Sequence, residues 1–298
     1  VFGPGTTPGA GGSLPAEVRI AYDRRLLKAA RPNLIHAQFA NDRPIDKNAG
    51  TTMQMRRFEL LAPATSPLSE GVTPTGNNLT VTPVTVGIAQ YGDFIQVSDV
   101  LTWSAIDPIL TQAADILGFQ AGQTIDQLAR DFMASGTNVI YATGKTARNL
   151  VTSTDKFTSA EIKKAVRTLE KSFTMPINGD YVGIVSPDAK YDIMSIPEWL
   201  AVKEYSTPKD LYEGELGSLY GVRFVESPLA KFFTGAGAGG IDVHATLIFG
   251  SMAFVKTEIG GESLSNIIKP LGSAGAADPL NQRATSGYTR TSYYKMAA

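Results

Sequence analysis

Between Thr51 and Ile88 two β-forming runs flank a middle rich in Pro, Gly, Ser and Thr, and this arrangement restricts the fold more than any other stretch. Thr51 to Leu61 predicts a strand with Met53 and Met55 on one side and Gln54 and Arg56 on the other; Leu79 to Ile88 predicts its partner. At about 3.3 Å per residue such a strand reaches roughly 36 Å. Pro63, Pro67, Pro74 and Gly76 keep the tip from continuing as sheet. A long two-stranded ribbon has little core of its own and is marginal alone. The expectation is therefore that it lies across another subunit, with a hairpin folded back on its own body as the alternative.

The flanking chain supports an α+β organisation. Residues 1 to 15 are dominated by Gly and Pro, from Gly3 to Pro15, and bury too little apolar surface to offset their ordering entropy. They read as an arm. From Glu17 to Ala30, Ile20, Leu26, Leu27 and Ala30 alternate with Arg24, Arg25 and Lys28 in a short amphipathic helix that Pro32 ends. Its basic face could meet nucleic acid; a solvated face or salt bridges to a neighbour is the blander reading.

Asp107 to Gly136 predicts the clearest helix. Asp107 suits the N-cap and Pro108 the first turn, and Leu110, Ala114, Leu117, Ala121, Ile125, Leu128 and Phe132 recur at steps of four or three. Gly118 and Gly122 inside it suggest close approach of another backbone, since each costs up to about 1 kcal/mol relative to Ala. After a polar stretch from 137 to 155, an α/β unit begins at Thr158. Thr158 and Glu161 have capping-box spacing, and Ile162, Val166, Leu169 and Phe173 form an apolar stripe opposite Lys163, Lys164, Arg167 and Lys171. Pro176, Asn178 and Gly179 turn into a strand from Tyr181 to Val185. Ser186 with Pro187, and Ser195 with Pro197, predict two further helix starts, and Tyr220 to Val225 and Val243 to Phe249 two further strands.

Candidate chemistry is sparse. Without cysteine there are no disulfides, thiolate nucleophiles or Cys-containing zinc sites. His36 and His244 fall in different predicted elements and read as structural histidines. Gly144, Lys145 and Thr146 imitate the end of a phosphate loop, but position 139, where the first glycine belongs, is Val. The glycines from Gly235 to Gly240 precede a strand, whereas a dinucleotide fingerprint opens a helix. No catalytic, cofactor-binding or metal residue is expected, and the chain is read as no enzyme. Lys plus Arg number 27 against 28 Asp plus Glu, so nucleic-acid contact should be weak and local. Charged residues make up 18 %, below the roughly 25 % of a typical domain, which favours a subunit buried among neighbours. No run reaches the about 18 apolar residues of a membrane span.

Several runs, in order, resemble the major capsid protein family of tailed bacteriophages, the coliphage N-four type, whose fold is Hong Kong 97-like. They are RPNLIHAQFA from Arg31, PLSEGVTPTGNNLTVT from Pro67, QYGDFIQVSDVL from Gln90, IDPIL from Ile106, QAGQTIDQLARD from Gln120, GTNVIYA from Gly136, LYGVRFVES from Leu219 and DPLNQR from Asp278. The resemblance implies an N-terminal arm over 1–50, an extended loop over 51–88, a peripheral domain over 89–157 and 244–298 with a spine helix at 107–136, and an axial domain over 158–243. It implies a coat subunit that self-assembles into pentamers and hexamers of an icosahedral head in the virion, built in the host bacterial cytoplasm. Portal, decoration or scaffolding proteins and packaged double-stranded DNA are the implied partners. The founding fold member welds its shell through an extended-loop lysine; here no lysine occurs from Asn48 to Gly144, so a noncovalent shell is expected. No domain that could act as a built-in scaffold is expected before the arm. The alternatives are an encapsulin-like compartment shell and a nucleotide-binding enzyme using Lys145.

Overall fold

The computed structural model describes residues 24–26, 28–29, 34–59, 61–104, 109–199, 217–259, 264–273 and 278–296. In chain order the strands are β1 (Asn41–Asp42), β2 (Thr52–Phe58), β3 (Val81–Gly87), β4 (Ala89–Ser98), β5 (Tyr181–Val185), β6 (Ser218–Leu219), β7 (Val222–Glu226), β8 (Phe232–Phe233), β9 (Val243–His244), β10 (Leu247–Phe249), β11 (Phe254–Thr257), β12 (Ser265–Lys269) and β13 (Arg283–Met296). The α-helices are α1 (Asp99–Ser104), α2 (Ile109–Ala134), α3 (Ser159–Lys171) and α4 (Pro187–Met194). The arm at 1–15, the N-cap Asp107 and Pro108 lie outside the described residues.

Two sheets share one long helix. The first is organised on β13, which pairs antiparallel with β4 from Arg283 to Ser292, with β12 and with β11; β1 adds to β11 in parallel. The second has the order β10-β5-β7-β6, with β5 and β7 parallel. All five residues of β5 are buried because both its faces are covered. Tyr181 and Val185 face the core of Ile162, Ala189, Ile193 and Phe224, whereas Val182 and Ile184 face that of Ile125, Ala129, Phe249 and Phe254.

At 26 residues, α2 is about 39 Å long at about 1.5 Å per residue. Its first half buries Leu117 and Ala121 with Leu26, Leu264 and Tyr288 on the β13 sheet; its second half buries Ile125 and Ala129 against the β5 sheet. The expected stripe is thus the seam joining both halves of the molecule. Gly118 is required by close approach: a Cβ there would stand 2.6 Å from the Leu26 carbonyl oxygen, in the helical stretch at 24–29. Arg25 adds an ion pair to Asp115 at 2.7 Å, so one residue of the expected basic face is used within the chain.

Local signals placed most element ends. Thr158 and Glu161 form the capping box of α3, and the Ser186 hydroxyl accepts the Ala189 N–H at 3.1 Å to open α4. Asn178 and Gly179 both have positive φ, as a two-residue hairpin turn requires, and Ile177 and Asp180 bridge across it.

Four expectations change. Phe173 does not continue the α3 stripe: the helix ends at Lys171, and Phe173 has φ 53° and points into solvent. Tyr220 is in a turn (φ 52°) between β6 and β7 rather than in the strand. The strand expected from Val243 to Phe249 is broken at Ala245, whose N–H donates to Lys231 O at 2.8 Å; β9 pairs with β8 and β10 pairs with β5. Since β10 lies past position 243, the α/β sheet takes a strand from the stretch 244–298.

Candidate functional site

Carboxylates, Glu161 and Asp155, surround the Gly144-Lys145-Thr146 tripeptide that imitates a phosphate loop. Thr143 and Gly144 both have positive φ, which turns backbone N–H groups to one side, but the Thr143 N–H donates to Glu161 Oε1 at 3.1 Å. The Thr143 hydroxyl donates to Asp155, which also accepts the Thr152 N–H at 2.8 Å, and Lys145 Nζ stands 3.9 Å from Asp155. The Thr143 hydroxyl first, then the Thr152 N–H and hydroxyl and the Lys145 charge, hold the Asp155 carboxyl at about 2. A 3-10 turn at Arg148–Leu150, not an α-helix, follows the tripeptide. The arrangement knits residues 142–155 together.

The histidines are placed apart. The backbone N–H groups of His36 and Ala37 donate to Asp126 Oδ1 at 2.6 and 3.2 Å, and His36 Nδ1 lies 2.6 Å from Asp126 Oδ2, all fully buried. Asp126, on α2, therefore ties down the segment that leads from the basic helix toward β1. His244 sits on β9, 3.6 Å from Asp188. Among the described residues no group of three or more His, Asp or Glu side chains is placed to hold a metal ion. The Gly235–Gly240 loop packs on its surroundings through Gly235 N–H to Asp242 and Ala238 N–H to Val151 O.

A cavity of about 780 Å³ opens between the end of α2, the 137–157 loop, α3, α4 and β10. Its carboxylates already have partners: Glu161 caps α3, Asp155 holds the loop, Asp192 faces Lys156 at 3.7 Å and Asp188 faces His244.

The remaining candidate is the hairpin. β2 and β3 pair in register from Thr52↔Gly87 to Phe58↔Val81. One face carries Met53, Met55, Val84 and Val86, and only near the base is it covered, where Val86 is 1 % exposed. The other face, with Gln54, Arg56, Phe58 and Val81, is exposed throughout. Beyond it, Leu61, Leu68, Val72 and Leu79 are exposed, Leu68 by 78 %. Sequence reasoning found this element, but it missed Asp126, because a carboxylate inside an apolar stripe gives no sign of which backbone it will cap.

A β13-centred sheet, a second α/β sheet and a long shared helix with a projecting hairpin define a viral shell fold. The capsid of Cyanophage Pam1 superimposes with a TM-score of 0.66 at 16 % identity, covering 99 % of this chain and 93 % of that one. The capsid of Cyanophage P-SCSP1u gives 0.63 at 16 % identity over 88 % and 84 %. A virus-like particle from Pyrococcus furiosus gives 0.54 at 11 % identity over 94 % and 96 %. A search of curated protein sequences found no match. The model of the phage capsid protein family matches residues 81–269, more than half of the chain, and the chain belongs to that family.

Proposed function

We propose that this chain is the major coat subunit of an icosahedral phage head and that its hairpin is an assembly element. The observation that carries this reading is the ribbon of β2, β3 and the 59–80 tip, which exposes a row of apolar side chains in a member of the phage capsid protein family. A heterologous contact repeated around five- and six-fold axes closes rings, and ribbons lapping over neighbours spread modest contacts over several partners. In this reading residues 1–50 are an arm, 51–88 the extended loop, α2 the spine helix of the peripheral part, and α3 through β9 the core of the axial part. Residues 89–157 and 244–298 make the peripheral domain, apart from β10.

The role is structural rather than enzymatic, and assembly takes place in the bacterial cytoplasm, with portal and scaffolding proteins as partners and weak contact to packaged DNA. With no lysine from 48 to 144, the hairpin has no amine to weld to a neighbour, so the shell is noncovalent. Negative-stain electron microscopy of the purified protein should show shells or capsomer rings; a monomer under every assembly condition would refute the reading. A ladder of covalent oligomers from mature particles on a denaturing gel would refute the noncovalent shell. An encapsulin-like compartment remains the second reading on the fold shared with the Pyrococcus particle. DNA inside purified shells decides for the phage head, protein cargo for the compartment.

A further inference from the structure

Three large apolar side chains are held out into solvent beside the end of α3, two of them on left-handed backbone that resists them. α3 closes in a Schellman motif: the Thr174 N–H donates to Leu169 O at 3.1 Å and the Phe173 N–H to Glu170 O at 3.0 Å. The residue at the left-handed position of that motif is usually Gly; here it is Phe173, with φ 53° and 85 % exposed. Met175 follows at 75 % exposed. The 250–252 turn is pinned beside it, since the Ser251 N–H donates to Met175 O at 2.7 Å, and that turn places Met252 at φ 58° and 58 % exposed. Two strained positions each spent on an exposed apolar side chain destabilise the lone subunit twice over, and such strain is retained where a contact uses it.

Arg167 and Lys171 lie on one face of α3 a turn apart and form no ion pair among the described residues, and Glu170 between them is exposed too, so the last turn of α3 carries a net charge of one positive unit. The surface is therefore apolar with a mildly positive edge. Phosphate backbones would use the edge and gain nothing from Phe173, Met175 and Met252, so a protein partner fits better. The hairpin tip has the complementary character: Leu61, Leu68, Val72 and Leu79 are exposed, its only charges are Glu59 and Glu70, and no Lys or Arg occurs from 58 to 129. Among the described residues of one chain, both surfaces stand exposed.

We propose that the hairpin tip of a second copy docks on the Phe173, Met175 and Met252 patch, with Glu59 and Glu70 toward Arg167 and Lys171. This rests on reading the chain as a shell subunit and names the surface that receives its hairpin. Because the chain has no cysteine, a Leu68→Cys, Met175→Cys double variant tests the contact cleanly. Oxidised shells of the double variant should give disulfide-linked multimers that neither single variant gives. In parallel, Phe173→Gly should leave the unfolding midpoint of the free subunit equal or higher, since Gly relieves the strain, while shell yield falls about tenfold. Arg167→Glu with Lys171→Glu should lower yield similarly, and Glu59→Lys with Glu70→Lys added should recover it. Absence of cross-links together with wild-type yields from these variants would overturn the contact, as would normal shells that have lost only DNA, which would make the rim a nucleic-acid surface. If the wild-type chain forms no shell, the shell reading itself fails and takes this contact with it.

Discussion

The long helix α2 and the β2–β3 hairpin are both extended elements, yet they depend on opposite things. α2 buries an unbroken line from Ala113 to Ala129 between two sheets, and Gly118, Asp126 and Leu117 all meet partners in the same chain. The hairpin satisfies its backbone across its own ladder and leaves most of its side chains in water, with Val86 buried at its base. The lesson is that α2 holds the subunit together, whereas the hairpin adds little to the fold and, in the proposed reading, docks on another molecule. Substitutions in the two should separate stability from assembly.

The largest effect on the subunit is expected at Asp126. Asp126→Ala strands two buried N–H groups and the His36 ring and should cost about 3–5 kcal/mol in chemical denaturation. A loss under about 1 kcal/mol would break the claim that α2 anchors the fold. Next, Gly118→Ala should destabilise by about 1–2 kcal/mol, because the overpacking against Leu26 O outweighs the better helix propensity of Ala. Acid should act more locally. Asp155 is held near 2, below its ordinary 3.8, so its stabilisation of the 142–155 loop is present above about pH 4 and lost as pH falls toward 2. Hydrogen exchange of the Thr152 N–H, which donates to Asp155, should follow that window in the native chain and lose it in Asp155→Asn. The smallest subunit effect is expected in the hairpin: Leu68→Ser should change subunit stability by less than about 0.5 kcal/mol while shells become easier to open. A destabilised free subunit would mean that the tip packs on its own body.

Signals confined to a few neighbouring residues were legible from the chain alone. The Thr158–Glu161 box, the Ser186–Pro187 start, the Asn178–Gly179 turn and the α2 stripe all depend on contacts within one or two turns, where residue order dictates geometry. The hairpin was readable too, because alternation and Pro spacing are local. Hidden from sequence were features that depend on residues about 90 positions apart: Asp126 capping His36, Leu26 lying on Gly118, Arg25 meeting Asp115. Phe173 misled because helical period continued past the point where the chain stopped being helical; only packing of Thr174 and Met175 against the 250–252 turn sent it outward. Residue order specifies the elements because their hydrogen bonds close locally. Which faces are covered, and which are left for a neighbour, follows from how distant segments share volume.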